Sequence, residues 1–228
     1  SANPFSIELV SLSICDFKKG KTPGLDGITV EHLLYCHPSA NLLIMYFCNL
    51  MILAGYVPSQ FGIGVLYPIP KNNNTANLKV DDYRGITVSS LISKILEKCI
   101  LGYFMKFFLT SDNQFGFKKK LGCHHAIYSL KSVTDYFTSN GSTVNICALD
   151  MSKAFDKVNQ FTLFVKLMSR NLPRTLISLL FVWYSNSVAV VSWKGHTSHS
   201  FSLQSGVRQG GCLSPILFLV YVDSLIER

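Results

Sequence analysis

Apolar residues recur at helical spacing along most of this chain, and the polar stretches between them are short. The spacing predicts a helix from Ile7 to Phe17 and another from Val30 to Cys36. A third runs from Ala40 to Leu53, opening after Pro38-Ser39 and stopping at Gly55 and Pro58. The longest periodic run is Ser89 to Leu109, with Lys94, Glu97 and Lys98 marking its wet side. Cys123 to Phe137, Pro173 to Tyr184 and Pro215 to Ile226 complete the predicted helices; in the last, proline occupies the first turn, where its missing N–H does no harm. Strands are few. Val65 to Ile69 is one, and Val188 to Trp193 pairs with Ser200 to Leu203 as a hairpin. Thr143 to Leu149, after the Asn140-Gly141 turn, reads as a strand of buried type that delivers Asp150 at its tip. Lys18 to Gly27 and Lys71 to Arg84 are loops. The fold class is mixed α/β (α+β), with helices packed on one face of a single small sheet.

Composition narrows this picture. Of 228 residues, 48% are hydrophobic and 15% charged, enough apolar surface for a large core. The formal net charge of +8 suits a polyanionic partner, although a moderately basic globular protein has the same balance. Seven scattered cysteines without a CxxC pair read as reduced, mostly buried thiols of an intracellular protein, in nucleus or cytoplasm. Cys123-His124-His125 lacks a second ligand pair at zinc-finger spacing. The apolar stretches Leu42 to Val57 and Leu176 to Val191 fall short of the roughly 20 clean residues a bilayer needs, so they read as buried core helices and no membrane is expected as a partner. The opening Ser1-Ala2-Asn3-Pro4 has neither an initiator Met nor a signal peptide, as in a piece cut from a longer polypeptide.

Four segments carry candidate chemistry. Ala148 to Asp156 places Asp150 at a strand end. A carboxylate on a rigid frame, with the Met151 carbonyl beside it, suits Mg²⁺, and Asp150 as a helix N-cap is the equal alternative. Ser205 to Pro215 is a Gly-rich loop running into a helix start. Its free N–H groups suit phosphate or a base edge, Gln209 can hydrogen-bond a nucleotide or template, and its glycines admit close approach; most such loops are only turns. Lys71 and Arg84 flank a loop that can fold over a triphosphate, or are two solvated cations. Gln114-Phe115-Gly116-Phe117 followed by Lys118, Lys119 and Lys120 combines stacking rings with phosphate-binding charge.

The order of these blocks is more informative than any one of them. Pro23-Gly24-Leu25-Asp26-Gly27, Pro70-Lys71, Asp82-Tyr83-Arg84-Gly85-Ile86, Gln114 to Phe117, Leu149-Asp150 with Lys153-Ala154-Phe155-Asp156, and Gly206-Val207-Arg208-Gln209-Gly210 with Leu213-Ser214-Pro215 follow one another. This series resembles the reverse transcriptases of non-LTR (LINE-type) retrotransposons more than group II intron maturases. The resemblance implies a right-hand polymerase fold, with fingers over approximately residues 1–135 and a partial palm over 136–228. It implies an RNA template, a DNA primer, deoxynucleoside triphosphates and a two-metal site for Mg²⁺ or Mn²⁺. Asp150 is then the first metal-binding carboxylate, Phe155 the ring that clashes with a ribose 2′-hydroxyl, Lys71 and Arg84 triphosphate contacts, and Gln209 and Gly210 the lining of the nucleotide pocket. Asp156 matches the motif in a structural role.

Four departures accompany the resemblance. Gly85 stands where the family has proline, Gly211-Cys212 replaces Cys-Pro, and Lys118 to Lys120 replace an Arg-rich pattern. After Asp150 no adjacent Asp pair follows, so the chain reads as truncated before the catalytic hairpin and thumb, with an incomplete metal site. Alone it is expected not to polymerise, and the apolar face of its last helix (Ile216, Leu217, Leu219, Val220, Leu225) is expected to lie uncovered. A relic or domesticated domain that only binds nucleic acid or a protein partner is the alternative.

Overall fold

In the computed structural model, residues 3–71, 79–208 and 210–226 are described. Ser6 starts helix α1 (Ile7–Cys15) by accepting a hydrogen bond from Leu9 N at 3.2 Å, meeting one of the donors that every helix start leaves unpaired. Helix α2 (Val30–Tyr35) leads to α3 (Ser39–Ala54), which Gly55 ends in the left-handed conformation at φ 60°. From α3, buried Asn49 reaches back to the chain ahead of α1. It accepts from Phe5 N at 2.9 Å and donates to Phe5 O at 2.8 Å, satisfying both backbone groups of a residue with no water around it.

A short α4 (Ser59–Gly62) opens into strand β1 (Ile63–Pro70), which pairs antiparallel with β2 (Tyr83–Val88) from Val65↔Val88 to Pro70↔Tyr83. Strand β2 is not among the expected strands and starts inside the segment read as a loop from Lys71 to Arg84, because Tyr83, Ile86 and Val88 supply β-formers opposite β1. Helix α5 (Leu91–Phe104) follows, capped by Ser90, then α6 (Cys123–Ser139), α7 (Gln160–Ser169) and α8 (Arg174–Ser185). Strand β3 (Val188–Trp193) lies parallel to β1 over Ile63↔Val188 to Leu66↔Val191, and both β4 (His196–Thr197) and β5 (Phe201–Ser202) pair antiparallel with it. The chain closes with α9 (Ser214–Val222) and a 3₁₀ turn, Asp223–Leu225.

Two prolines explain where the sheet stops. Lys71 N donates to Asp82 O at 2.8 Å, so odd-numbered positions of β1 turn their N–H toward β2. Pro68 and Pro70 therefore face the other side, where pairing to β3 ended at Leu66 and no donor is needed. The core fills the space between α1, α3, α5, α7, α8 and α9, around Trp183, Ile95, Leu96, Leu163 and Leu180.

The structure corrects several expectations. Thr143 to Leu149 is not a strand: residues 142–151 have no regular structure, and Leu149 is 92% exposed. An apolar run becomes a strand only beside a neighbour that takes its N–H and C=O groups, and among the described residues none does. Glu97 is not on a wet face but 3% exposed. The face of α9 is not left open, since Leu217, Leu219 and Val220 are buried, partly against α7; Leu225 alone of that set is fully exposed. Helix α3 is a core helix on one side only, with Leu43 and Leu50 in water. Of the cysteines, Cys48 and Cys99 are buried, with burial pushing the Cys99 thiol up to about 11, whereas Cys15, Cys36, Cys123 and Cys147 are exposed. No helix among the described residues is long and apolar enough to cross a membrane.

Replacing Asn49 by Ala strands two buried backbone groups of Phe5 at about 1–3 kcal/mol each. Urea unfolding followed by far-UV circular dichroism is expected to show a loss of about 2–4 kcal/mol; a loss under about 0.5 kcal/mol would show that Phe5 is not held from α3.

Candidate active site

The Gly-rich loop after β5 is built against the segment that follows Asp150. Gly206 N donates to Val158 O at 2.8 Å and Val207 N to Phe155 O at 2.9 Å. Ser205 Oγ donates to Asp156 O at 3.1 Å, and Gln160 Nε2 to Gly206 O at 3.3 Å. Gly206 adopts φ +86°, and a Cβ there would lie 2.9 Å from both Asp156 Cα and Phe155 O, so only glycine lets these backbones meet. At the other end of the loop, Gly210 has φ +118° and a Cβ on it would fall 2.3 Å from Thr87 O of β2. The loop therefore spans from the Phe155 carbonyl to the edge strand that carries Arg84.

What fixes the loop between these contacts is a buried pair of charges. Arg208 Nη1 donates to Phe61 O at 2.7 Å, Nη2 lies 3.4 Å from Glu97 Oε1, and the guanidinium sits 5.0 Å from the Trp183 ring centroid. The Trp183 indole N–H shares the Phe61 carbonyl at 2.9 Å. Glu97 also accepts from Cys212 N and, at 3.3 Å, from Leu213 N, the amides just ahead of α9. A side-chain carboxylate thus fills the place where the sequence pattern suggested a phosphate at a helix start. Burial pushes the neighbouring Cys212 thiol up to about 11.

Lys71 and Arg84 share one face of the β1–β2 ribbon. Ile69 pairs with Arg84 and Lys71 bonds Asp82, and positions two apart on a strand point the same way. The opposite face (Leu66, Pro68, Tyr83, Gly85, Thr87) lines a cleft of 590 Å³ with Asp156, Gln160 and Gly206. Asp156 thus looks into this back cleft, while the Phe155 ring is half-buried in another direction. It stacks on Phe218 at 4.9 Å and 20° and meets Phe117 edge-on at 5.9 Å. Asp150 and Met151 are exposed, and Asp150 stands in irregular chain rather than at a strand tip. Among the described residues no three His, Cys, Asp or Glu side chains gather as a metal site. A two-metal centre needs several carboxylates gathered on a rigid frame, and the described residues by themselves do not assemble such a set.

The basic run divides. Lys118 donates to the carbonyls of Thr110 at 3.1 Å and Ser111 at 2.5 Å, which ties its ammonium to the chain, while Lys119 and Lys120 are exposed. Lys118 and Lys119 line a separate apolar cleft of 1150 Å³ between α1, α5 and α9. Asp223 is a latch: 3% exposed, it accepts from Ser111 N at 2.9 Å and pairs with Arg170 at 2.5 Å, which leaves it no part in holding a metal. Gln209 lies outside the described residues. Sequence reasoning missed Glu97 and Arg208 because a glutamate between two lysines of a helix looks solvated. The one available signal was the apolar company of Ile95, Leu96, Cys99 and Ile100 around Glu97.

Breaking a buried ion pair from one side leaves an uncompensated charge, at about 3–5 kcal/mol. Glu97→Ala is expected to lose about that much in urea unfolding, and joint replacement of Glu97 and Arg208 by Leu to recover much of it. Equal losses in the single and double variants would show that the pair is not coupled.

Comparison with known proteins agrees with this ordering of segments. The model of the family described as Reverse transcriptase (RNA-dependent DNA polymerase) matches residues 69–228. The Retrovirus-related Pol polyprotein from type-2 retrotransposable element R2DM of Drosophila melanogaster is 26% identical over 206 residues, which is 90% of this chain and 19% of that protein. The RNA-directed DNA polymerase from mobile element jockey of Drosophila funebris is 25% identical over 232 residues, 98% of this chain and 25% of that protein. A chain of a partial Cas6-RT-Cas1–Cas2 complex aligns with 96% of this chain and 33% of its own, at a TM-score of 0.48 and 17% identity. The chain thus spans between 19% and 25% of the length of these two retroelement relatives. With its blocks in this order and its match over residues 69–228, the chain belongs to the reverse transcriptase family, and the relatives it is similar to are polymerases of mobile elements.

Proposed function

We propose that this chain is the nucleotide-handling part of an RNA-directed DNA polymerase, fingers over approximately residues 1–135 and partial palm over 136–228, that acts in nucleus or cytoplasm to copy RNA into DNA. The observation that carries the reading is the loop from Gly206 to Gly210, held between the Phe155 carbonyl and Thr87 O. It joins the Phe155 segment to the hairpin that carries Arg84, two blocks that lie far apart in sequence. Lys71 and Arg84, on one face of the hairpin, receive the triphosphate, Arg84 through its planar fork and Lys71 as a point charge. The Phe155 ring, braced by Phe218, sets a wall beneath the sugar. Gly210 lets the loop close on the Thr87 carbonyl at the edge of β2, and Gln209 and Gly210 are the residues assigned to the lining of the nucleotide pocket. Template and primer lie along Lys119 and Lys120, with Phe117 available for stacking. Asp150 and the Met151 carbonyl would hold Mg²⁺ or Mn²⁺, which would supply charge stabilisation for nucleotidyl transfer, and a two-metal centre would need further carboxylates beside them.

That no three ligating side chains gather at the exposed Asp150 among the described residues favours a narrower reading of the 228 residues taken alone, as a binding unit without turnover. The reading is tested by primer extension on an RNA template with this chain set in place of the corresponding segment of a full-length reverse transcriptase. Asp150→Ala is expected to abolish extension. Phe155→Val, which opens space under the 2′-carbon, is expected to raise ribonucleotide relative to deoxynucleotide incorporation by about 10-fold or more, about 1.4 kcal/mol of discrimination. An unchanged ratio makes Phe155 a core residue only.

The isolated chain is expected to bind RNA–DNA duplex with a log K that falls against log salt at a slope near −3 to −4, as when about four phosphates are neutralised. Lys119→Ala with Lys120→Ala is expected to flatten that slope by about 2. A salt-independent affinity, or none at low salt, would count against a nucleic-acid interface here.

A further inference from the structure

Two ammonium groups from distant parts of the chain meet on Asp81. Lys71 Nζ donates to its main-chain carbonyl at 2.7 Å, and Lys153 Nζ to its carboxylate Oδ1 at 2.8 Å. The turn that presents Asp81 is fixed on both sides. Lys71 N donates to Asp82 O, and Lys79 N to the Asp82 carboxylate, each at 2.8 Å. Lys153 is equally placed by its own backbone, at φ 53° in a turn whose carbonyl accepts from Asp156 N and Lys157 N. That turn follows Asp150 by three residues and contains Phe155. One cation of the pair around Asp81 thus belongs to the hairpin that carries Arg84, and the other to the segment that carries the candidate catalytic aspartate.

The ion pair is open to water, with side chains 60% exposed at Lys153 and 79% at Asp81. Lys153 lowers the Asp81 carboxyl below its ordinary range, and Asp81 raises the Lys153 ammonium above its own. Exposed pairs of this kind contribute little to stability and exchange partners readily. A polyphosphate, which carries several negative charges and many acceptor oxygens, displaces a single carboxylate from such an ammonium.

We propose that Lys153 is a third cationic contact for the triphosphate of the incoming nucleotide, and that the Asp81 carboxylate occupies its place until the nucleotide arrives. The proposal rests on Lys71 and Arg84 as the first two contacts. The hairpin and the Asp150 segment are then tied together in both states, through Asp81 when the site is empty and through phosphate when it is filled. Neither the turn at Asp81 nor Lys153 has to travel far for the exchange, since both are positioned by main-chain hydrogen bonds that the exchange leaves alone.

The test is equilibrium dialysis of labelled deoxythymidine triphosphate, and separately of inorganic tripolyphosphate, against the purified 228-residue chain in Mg²⁺ buffer. Lys153→Met is expected to weaken both probes about 5-fold, close to 1 kcal/mol, and Lys153→Arg to stay within about twofold. Asp81→Asn is expected to tighten both about threefold, and that gain is expected to vanish when Lys153→Met is added, because the carboxylate acts by occupying this one ammonium. Asp135→Asn, the same change of charge on exposed α6, is expected to leave binding as it was. Equal tightening by Asp81→Asn and Asp135→Asn, or a gain that survives Lys153→Met, would reduce the effect to general charge and overturn the proposal. Weakening by Lys71→Met and Arg84→Ala but not by Lys153→Met overturns it while leaving those two contacts standing. Absence of binding, or indifference to Lys71 and Arg84, removes the reading beneath it and the proposal together.

Discussion

Glu97 and Arg208 have both left water, and the rest of the site is arranged around that fact. A guanidinium and a carboxylate at 5% and 4% side-chain exposure persist in an apolar core only if their donors and acceptors are met. Here Arg208 has the Phe61 carbonyl and the Trp183 ring, and Glu97 has the amides of Cys212 and Leu213. Those partners come from α4, α5, α8 and the start of α9. Satisfying two buried charges therefore requires four elements to arrive in register, and the register sets the path of the Gly-rich loop. The loop is a consequence of the core, not an appendage to it.

From that anchor the geometry runs outward in both directions. Toward the N-terminal side of the loop, Gly206 lies against the backbone of Phe155 and Asp156, which sends the Phe155 ring to Phe117 and Phe218 and Asp156 to the back cleft. Toward the other side, Gly210 lies against the carbonyl of Thr87, so the edge of the sheet and the loop touch without a side chain between them. The two glycines are thus not interchangeable with the flexible glycines of ordinary turns. Each marks a place where two backbones must come closer than any Cβ permits. Arg84, three positions before Thr87, inherits its location from the second of these contacts.

The flank of the molecule that carries Asp150 is organised by a different rule. Helix α6 has no buried residue, and the segment after it leaves Ile146, Leu149 and Met151 in water. Apolar side chains at this density contribute stability only when covered, so this flank draws its order from local hydrogen bonds rather than from the core. It includes the backbone turn at Lys153, and it is joined to the turn ahead of β2 by the Lys153–Asp81 pair and to the Gly-rich loop by the Val207–Phe155 bond. Rigid support and chemical residues are therefore unequally shared: the loop and the hairpin stand on packed core, while the candidate catalytic carboxylate does not.

The amino-acid sequence alone determined most helices, because a 3.6-residue period with caps such as Ser6 and Ser90 and stops such as Gly55 is a local property. It also determined the order of the chemical blocks, and with it the family. It placed Lys71, Arg84 and Phe155 in their segments, since motif positions are read along the chain. What it did not determine is whatever depends on a neighbour distant in sequence. The run from Thr143 to Leu149 has the composition of a buried strand, yet a strand is defined by its partner, and no described residue pairs with it. Glu97 has the look of a solvated helix residue until Arg208, 111 positions away, arrives beside it. Asp223 and Lys118 look like free charges until Ser111 meets both. Periodicity is written in adjacent residues and survives reading one at a time. Charge burial and strand pairing are agreements between distant residues, and only the folded chain brings those residues together.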